Sequence, residues 1–214
     1  MELNNAHVVV TGGSRGIGAS LARAYAAQGA RVTVVARSAD ALQAVANEVG
    51  GNAHIADLAD ASVVDTLIAD LEAAYGPIDV LVNNAGVETV DPIATVDVEA
   101  VRATARLNLE APMILTRQVL PGMLARQNGA LVFTSSMAGT SGFGGMGPYC
   151  ATKAGINNFV ATLRIELKNT PIRTTLTAPG PVDTGMWDNV ENASPSVQRT
   201  VKRFNTLQLI PKTT

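Results

Sequence analysis

Apolar positions along this chain fall into two alternating textures. Short runs rich in β-branched residues, at 6–10, 31–36, 52–56, 78–82, 129–134 and 172–177, predict six strands. Longer Ala/Leu-rich stretches lie between them and predict helices near 17–27, 40–48, 62–74, 98–127 and 148–168, the fourth broken near Pro112. Several strands are continuous rather than alternating, as in His7-Val8-Val9-Val10 and Val80-Leu81-Val82, so helices are expected over both faces. The pattern predicts an α/β fold: a doubly wound parallel sheet in three αβα layers, a single domain over 1–214. Ligands of such sheets bind at the carboxyl ends of the strands, where the winding reverses. After Pro179 the pattern weakens through Pro181, Gly185 and Pro195, which predicts a lid over about 180–207.

Composition narrows the partners. A chain of 214 residues that is 47% apolar can bury one large core. Charged residues make up 16%, against roughly 25% in an average soluble protein, so extra surface is expected in a subunit interface or an apolar pocket. A net charge of −2 leaves no polybasic surface for nucleic acid or anionic membrane. Cys150 is the single cysteine, which excludes an intramolecular disulfide and a thiolate metal cluster and reads as a packing residue. His7 and His54 fall in or beside predicted strands without partners at metal spacing, so no metal site is expected. The first residues lack a basic start and an apolar stretch, and no run reaches the length of a membrane span. A cytoplasmic protein is the expectation.

Chemistry enters where strands end. Thr11-Gly12-Gly13-Ser14-Arg15-Gly16-Ile17-Gly18 follows the first strand and runs into a helix. Glycines there let the backbone turn sharply and approach a pyrophosphate, whose charge meets the N–H groups and positive dipole end of the helix. The spacing is Gly-x-x-x-Gly-x-Gly rather than the commoner Gly-x-Gly-x-x-Gly, and a tight turn made only for packing is the competing reading. Strand before and helix after favour a Rossmann-type dinucleotide site. Tyr149 and Lys153 are four apart and share a helix face. An ammonium beside a phenol favours phenolate, so Lys153 together with a cationic nicotinamide is expected to lower the pKa of Tyr149 and make it a general acid/base. Taken alone, this pair also fits a surface Tyr beside a solvated Lys.

Several segments together carry a specific resemblance. The glycine loop, Asn83-Asn84-Ala85-Gly86, Asn108, Ser136 thirteen residues before Tyr149-x-x-x-Lys153, and Pro179-Gly180 with Val182 and Thr184 stand in matching order. Over about residues 5–185 the chain resembles the short-chain dehydrogenase/reductase family. The resemblance implies that Ser136 hydrogen-bonds the substrate oxygen, that Tyr149 exchanges its proton, and that Lys153 holds both the phenol and the nicotinamide ribose. It implies that Asn108 joins Lys153 to a proton relay through a water, a core or capping Asn being the alternative. Along the coenzyme it implies Gly12, Ser14, Arg15, Gly16, Ile17, Gly18, Asp57, Leu58, Asn84, Ala85, Gly86, Pro179, Gly180, Val182 and Thr184. Asn83 either lines the coenzyme or braces neighbouring strands, Asp57 either meets the adenine or caps the next helix, and Ser135 reads as structural.

The second strand ends Val34-Val35-Ala36-Arg37-Ser38. An Arg at that place accommodates a 2′-phosphate, whereas an acidic residue would hold a 2′-hydroxyl. Asp40 lies past Ser38, read as an N-cap, and so inside the next helix. NADP(H) is therefore preferred, with NAD(H) as the second choice; Arg15 reaches for the same phosphate, unless either Arg is only a solvated charge. The expected reaction is reduction of a ketone or aldehyde, or oxidation of the alcohol, as by a carbonyl reductase. Val87, Ala138, Phe143, Met146, Met186 and Trp187, if not core, would line a largely apolar substrate pocket. The resemblance also implies a homodimer or homotetramer, and a final helix and seventh strand that find no counterpart before Thr214. Two other functions share the fold. A nicotinamide-sensing binding protein is disfavoured by the full set Asn108, Ser136, Tyr149 and Lys153. An epimerase or dehydratase of nucleotide sugars is disfavoured by the glycine spacing and by the lack of room for a second domain.

Overall fold

The computed structural model describes residues 2–182 and residue 198. The chain runs through β1 (His7–Thr11), α1 (Gly16–Ala27), β2 (Arg31–Ala36), α2 (Ala39–Glu48), β3 (Asn52–Ile55), α3 (Ala61–Tyr75) and β4 (Val80–Asn83). It continues through α4 (Val98–Ala105), a π-helical turn (Arg106–Glu110), α5 (Ala111–Arg126), β5 (Ala130–Thr134), a 3₁₀ turn (Met137–Gly139), α6 (Gly147–Glu166) and β6 (Arg173–Thr177). The strands pair in the order β3-β2-β1-β4-β5-β6, all parallel. This is the expected doubly wound sheet, and the winding reverses between β1 and β4.

Continuous apolar strands serve both faces because successive side chains point to opposite sides. Val8, Val10, Val32, Val34, Val80 and Val82 meet Ala19 and Ala22 of α1 and Leu42, Val45 and Ala46 of α2. Val9, Leu81, Leu131 and Phe133 pack beneath Leu67 and Leu71 of α3, Leu115 and Val119 of α5, and Ile156 and Val160 of α6. His7 is fully buried at the opposite end of β1 from the site. Its Nδ1 lies 2.9 Å from the Gly76 carbonyl and therefore donates, leaving Nε2 to accept from the Thr33 hydroxyl at 3.0 Å. Burial lowers its pKa, so it stays neutral and structural, as expected.

At the switch point a single hydroxyl ties two strand ends. Thr11 Oγ1 donates to the Val82 carbonyl and accepts from the N–H groups of Asn84 and Ala85, at 3.0 and 3.1 Å. The long predicted helix is indeed broken, but by the π turn rather than by a gap. Pro112 has no N–H to offer the Asn108 carbonyl four residues back, so the α-helical ladder slips there, and the Ala111 N–H bonds Arg106. No helix among the described residues is long and apolar enough to cross a membrane.

Candidate active site

The N-terminus of α1 opens onto the switch point with its backbone donors uncapped. Arg15, the N-cap residue, is extended and makes no capping hydrogen bond, and no acidic residue stands in the first turn. An anion is the natural partner for such an end. Two glycines make the approach possible: Gly12 has φ +67°, and a Cβ on Gly18 would lie 2.2 Å from the Gly12 carbonyl oxygen. From this turn a cavity of about 510 Å³ runs along the strand ends, lined by Gly12, Ser14, Arg15, Gly16, Ile17 and Gly18. It passes Arg37, Asp57, Leu58, Asn84, Ala85 and Gly86, and reaches Ser136, Tyr149, Lys153, Pro179, Gly180 and Val182. A dinucleotide fits this lining: small residues where phosphates need the backbone, and a polar cluster at the far end.

Near the ends of β2 and β3 the charges are paired. Arg37 Nη1 stands 3.7 Å from Asp57 Oδ2, both partly exposed, while Asp57 Oδ1 accepts the Ala59 N–H at 3.0 Å. Asp57 does not cap the following helix; Asp60 does, accepting the Ser62 N–H at 2.9 Å. Asp40 lies in the first turn of α2 after Ser38, as expected, although the Ser38 side chain makes no capping bond.

At the other end α6 begins two residues before Tyr149 and carries Lys153 one turn on. Lys153 is buried, its Nζ 5.6 Å from the Tyr149 ring centre and donating to the Thr134 carbonyl at 2.8 Å. The lysine by itself does not lower the phenol. Burial pushes Tyr149 up to about 12, only partly offset by the Ser136 hydroxyl beside it, and Glu88 adds to the rise. Burial likewise brings Lys153 down to about 8. For both groups the cost of desolvating the charged form is the largest cause. Ser136 Oγ accepts the Ala138 N–H at 3.2 Å, and Ser135 is structural, donating to Asn157 Oδ1 at 2.5 Å.

Asn108 sits in the π turn, 1% exposed and outside the cavity lining. Its amide does not reach Lys153: Oδ1 accepts the Val87 N–H and Nδ2 donates to the Val87 carbonyl, both at 2.8 Å. Asn83 does not line the cavity, and its contact is with a helix rather than a neighbouring strand: it is buried, with Nδ2 3.5 Å from Thr116 Oγ1 on α5, while Asn84 reaches the cavity and donates to the Thr11 carbonyl. Val87, Ala138, Phe143 and Met146 do line the cavity. Thr184, Met186 and Trp187, and most of the expected lid, lie outside the described residues. Among the lining residues that went unread in the sequence are Thr134 and Glu88. Thr134 was accessible by rule, since it ends β5; Glu88 sits in an irregular loop where no pattern marks it.

Known proteins bear on this arrangement. A family model described as short chain dehydrogenase matches residues 6–195. The NADP-dependent 3-hydroxy acid dehydrogenase YdfG of Shigella flexneri is 33% identical over 208 residues, covering 96% of this chain and 84% of that protein. The ketoacyl reductase HetN of a Nostoc strain is 36% identical over 196 residues, 89% of this chain and 68% of that one. The crystal structure of a short-chain dehydrogenase from Streptomyces avermitilis superposes with a TM-score of 0.83 at 30% identity, covering 97% of this chain and 78% of that one. Sequence, sheet order and site geometry therefore agree that the chain is an oxidoreductase and belongs to the short chain dehydrogenase family.

Proposed function

We propose that the protein reduces a ketone or aldehyde to the alcohol with NADPH, and runs the reverse with NADP⁺, using Tyr149 as general acid/base. One observation carries this reading: a single cavity joins an uncapped helix N-terminus behind a glycine turn to Ser136, Tyr149 and Lys153. The bound nicotinamide would supply or accept the hydride. As the carbonyl carbon is reduced, Tyr149 Oη gives its proton to the substrate oxygen while Ser136 Oγ donates a hydrogen bond to the same atom. A phenol held at about 12 stays protonated near neutrality, the form reduction requires. Lys153, about 8, keeps its ammonium at neutral pH and steadies the phenolate left behind. Asn108 would act on the relay only through a water, its side chain being committed to Val87 and Thr152. Arg37 and Arg15 line the cavity where a 2′-phosphate would stand, which favours NADP(H) over NAD(H); the matched YdfG is also named as NADP-dependent.

The test follows NADPH and NADH consumption with a panel of ketones and aldehydes. NADPH is expected to give the higher kcat/KM, and Tyr149→Phe to lose roughly 10²–10⁴-fold in kcat with coenzyme affinity nearly intact. Higher kcat/KM with NADH would overturn the coenzyme choice. Near-normal kcat in Tyr149→Phe, on a substrate whose chemistry limits the rate, would overturn the acid/base role.

A further inference from the structure

We propose that Asn157 is a positioning residue for the reaction: it sets Ser136 relative to Tyr149 by clamping the segment that carries Ser136 onto the helix that carries Tyr149 and Lys153. The proposal rests on the role assigned to Ser136 above and adds the group that holds that serine in place. Asn157 lies on α6 four residues after Lys153 and eight after Tyr149, so the three follow one another along one side of the helix. That side meets the end of β5. Lys153 donates to the Thr134 carbonyl at 2.8 Å. One turn further on, Asn157 Oδ1 accepts the Ser135 hydroxyl at 2.5 Å, and Nδ2 donates to the Gly139 carbonyl at 3.0 Å. Ser136 thus lies between the two residues that a single amide holds.

The clamp is close and chemically matched. A Cβ on Gly139 would lie 2.6 Å from Asn157 Nδ2 and 2.9 Å from the Lys153 carbonyl oxygen, so the 3₁₀ turn rests directly on α6. Within the turn, Ser136 Oγ accepts the Ala138 N–H and the Ser136 carbonyl accepts the Gly139 N–H at 2.9 Å. Any shift of Gly139 is therefore passed to Ser136. An amide suits the place because the Ser135 hydroxyl needs an acceptor and the Gly139 carbonyl needs a donor. Ser135 is buried, and its other acceptor, the Lys153 carbonyl, is 3.4 Å away, so removing Asn157 leaves that hydroxyl poorly paired. The bond from Ser136 to the substrate oxygen matters most as negative charge grows there, and a displacement on the order of 1 Å is enough to lose most of it.

The experiment is a double-mutant cycle on the full chain, with NADPH and three carbonyl probes: ethyl acetoacetate, acetophenone and benzaldehyde. Ser136→Ala is expected to lose roughly 10²-fold or more in kcat, as removal of an oxyanion donor does. Asn157→Ala is expected to lose roughly 10–100-fold in kcat, with KM and the NADPH affinity read by fluorescence titration each changed by less than about threefold. In the Ser136→Ala background the same Asn157→Ala change is expected to cost less than about threefold further, because the group it positions is already gone. Ser135→Ala removes one hydroxyl from the same link and leaves α6 intact. It is expected to lose about threefold or more in kcat and to be silent in the Ser136→Ala background, so the cycle stands even if Asn157→Ala does not fold. Losses that multiply in the double variants, a near-normal kcat in Asn157→Ala, or a kcat loss matched by a loss of NADPH binding would overturn the proposal. If Ser136→Ala falls as expected and those results appear, the Asn157 assignment fails alone. A near-normal kcat in Ser136→Ala, or no reduction of any probe by wild-type protein, would instead count against the proposed reaction and take this inference with it.

Discussion

Lys153 carries a measurable cost that involves no substrate. Burial lowers its pKa to about 8 from the ordinary 10.5, so between those values the unfolded chain holds a proton that the folded one has released. Stability from this group is fully present above 10.5 and is lost as pH falls through about 8. The unfolding free energy of wild-type protein, measured against Lys153→Met, is expected to rise with pH across that window by up to about 1.4 kcal/mol per pH unit. Urea titrations of the coenzyme-free protein at several pH values check it, and a difference flat with pH would show that the lysine is not held in that state. The same variant is expected to weaken NADPH binding, because the ammonium assigned to the ribose is gone. Residue identity made Lys153 and Tyr149 legible together; the direction of the phenol's shift was not, because burial is invisible in a spacing of four.

Among the elements, the turn between β1 and α1 is the most exacting. Gly18 packs so closely under Gly12 that any side chain collides with the Gly12 backbone, which cannot swing aside, as well as with the Asn84 amide. Gly18→Ala is expected to cost roughly 1–3 kcal/mol of stability, as overpacking does, and to weaken coenzyme binding by about tenfold or more as the loop shifts. Gly142→Ala, where an added Cβ meets nothing within 4 Å, is the matched control and is expected to change neither. Thermal unfolding and a fluorescence titration with NADPH read both effects, and equal behaviour of the two variants would contradict the packing argument. Strand and helix order was legible from periodicity, with ends displaced by a residue or two, as when the first strand closes at Thr11 and the fourth starts at Val80. The π turn was legible only as a disturbance near Pro112, since a change of hydrogen-bond register leaves the apolar pattern almost intact.

At the scale of the molecule, low charge content leaves apolar surface to be covered. Ile165, on α6, is 76% exposed although its helix packs Ile156, Val160 and Leu163 into the core. A homo-oligomer, at least a dimer, is expected by light scattering at micromolar concentration, with Ile165→Glu shifting it towards monomer. A monomeric wild-type chain would remove the expectation. Sequence alone determined the α/β class and the dinucleotide turn, because these depend on local periodicity and glycine spacing, and the resemblance of its motifs to a known family is what singled out Ser136, Tyr149 and Lys153. Tertiary structure alone decided that Asn83 turns away to Thr116 while Asn84 reaches the cavity, that Asn108 spends its amide on Val87 and Thr152, and that Glu88 lines the cavity. Those outcomes depend on which strand ends the sheet order sets side by side and on how much water each group loses there. Both are properties of contacts between residues far apart in the chain, and no local pattern encodes them.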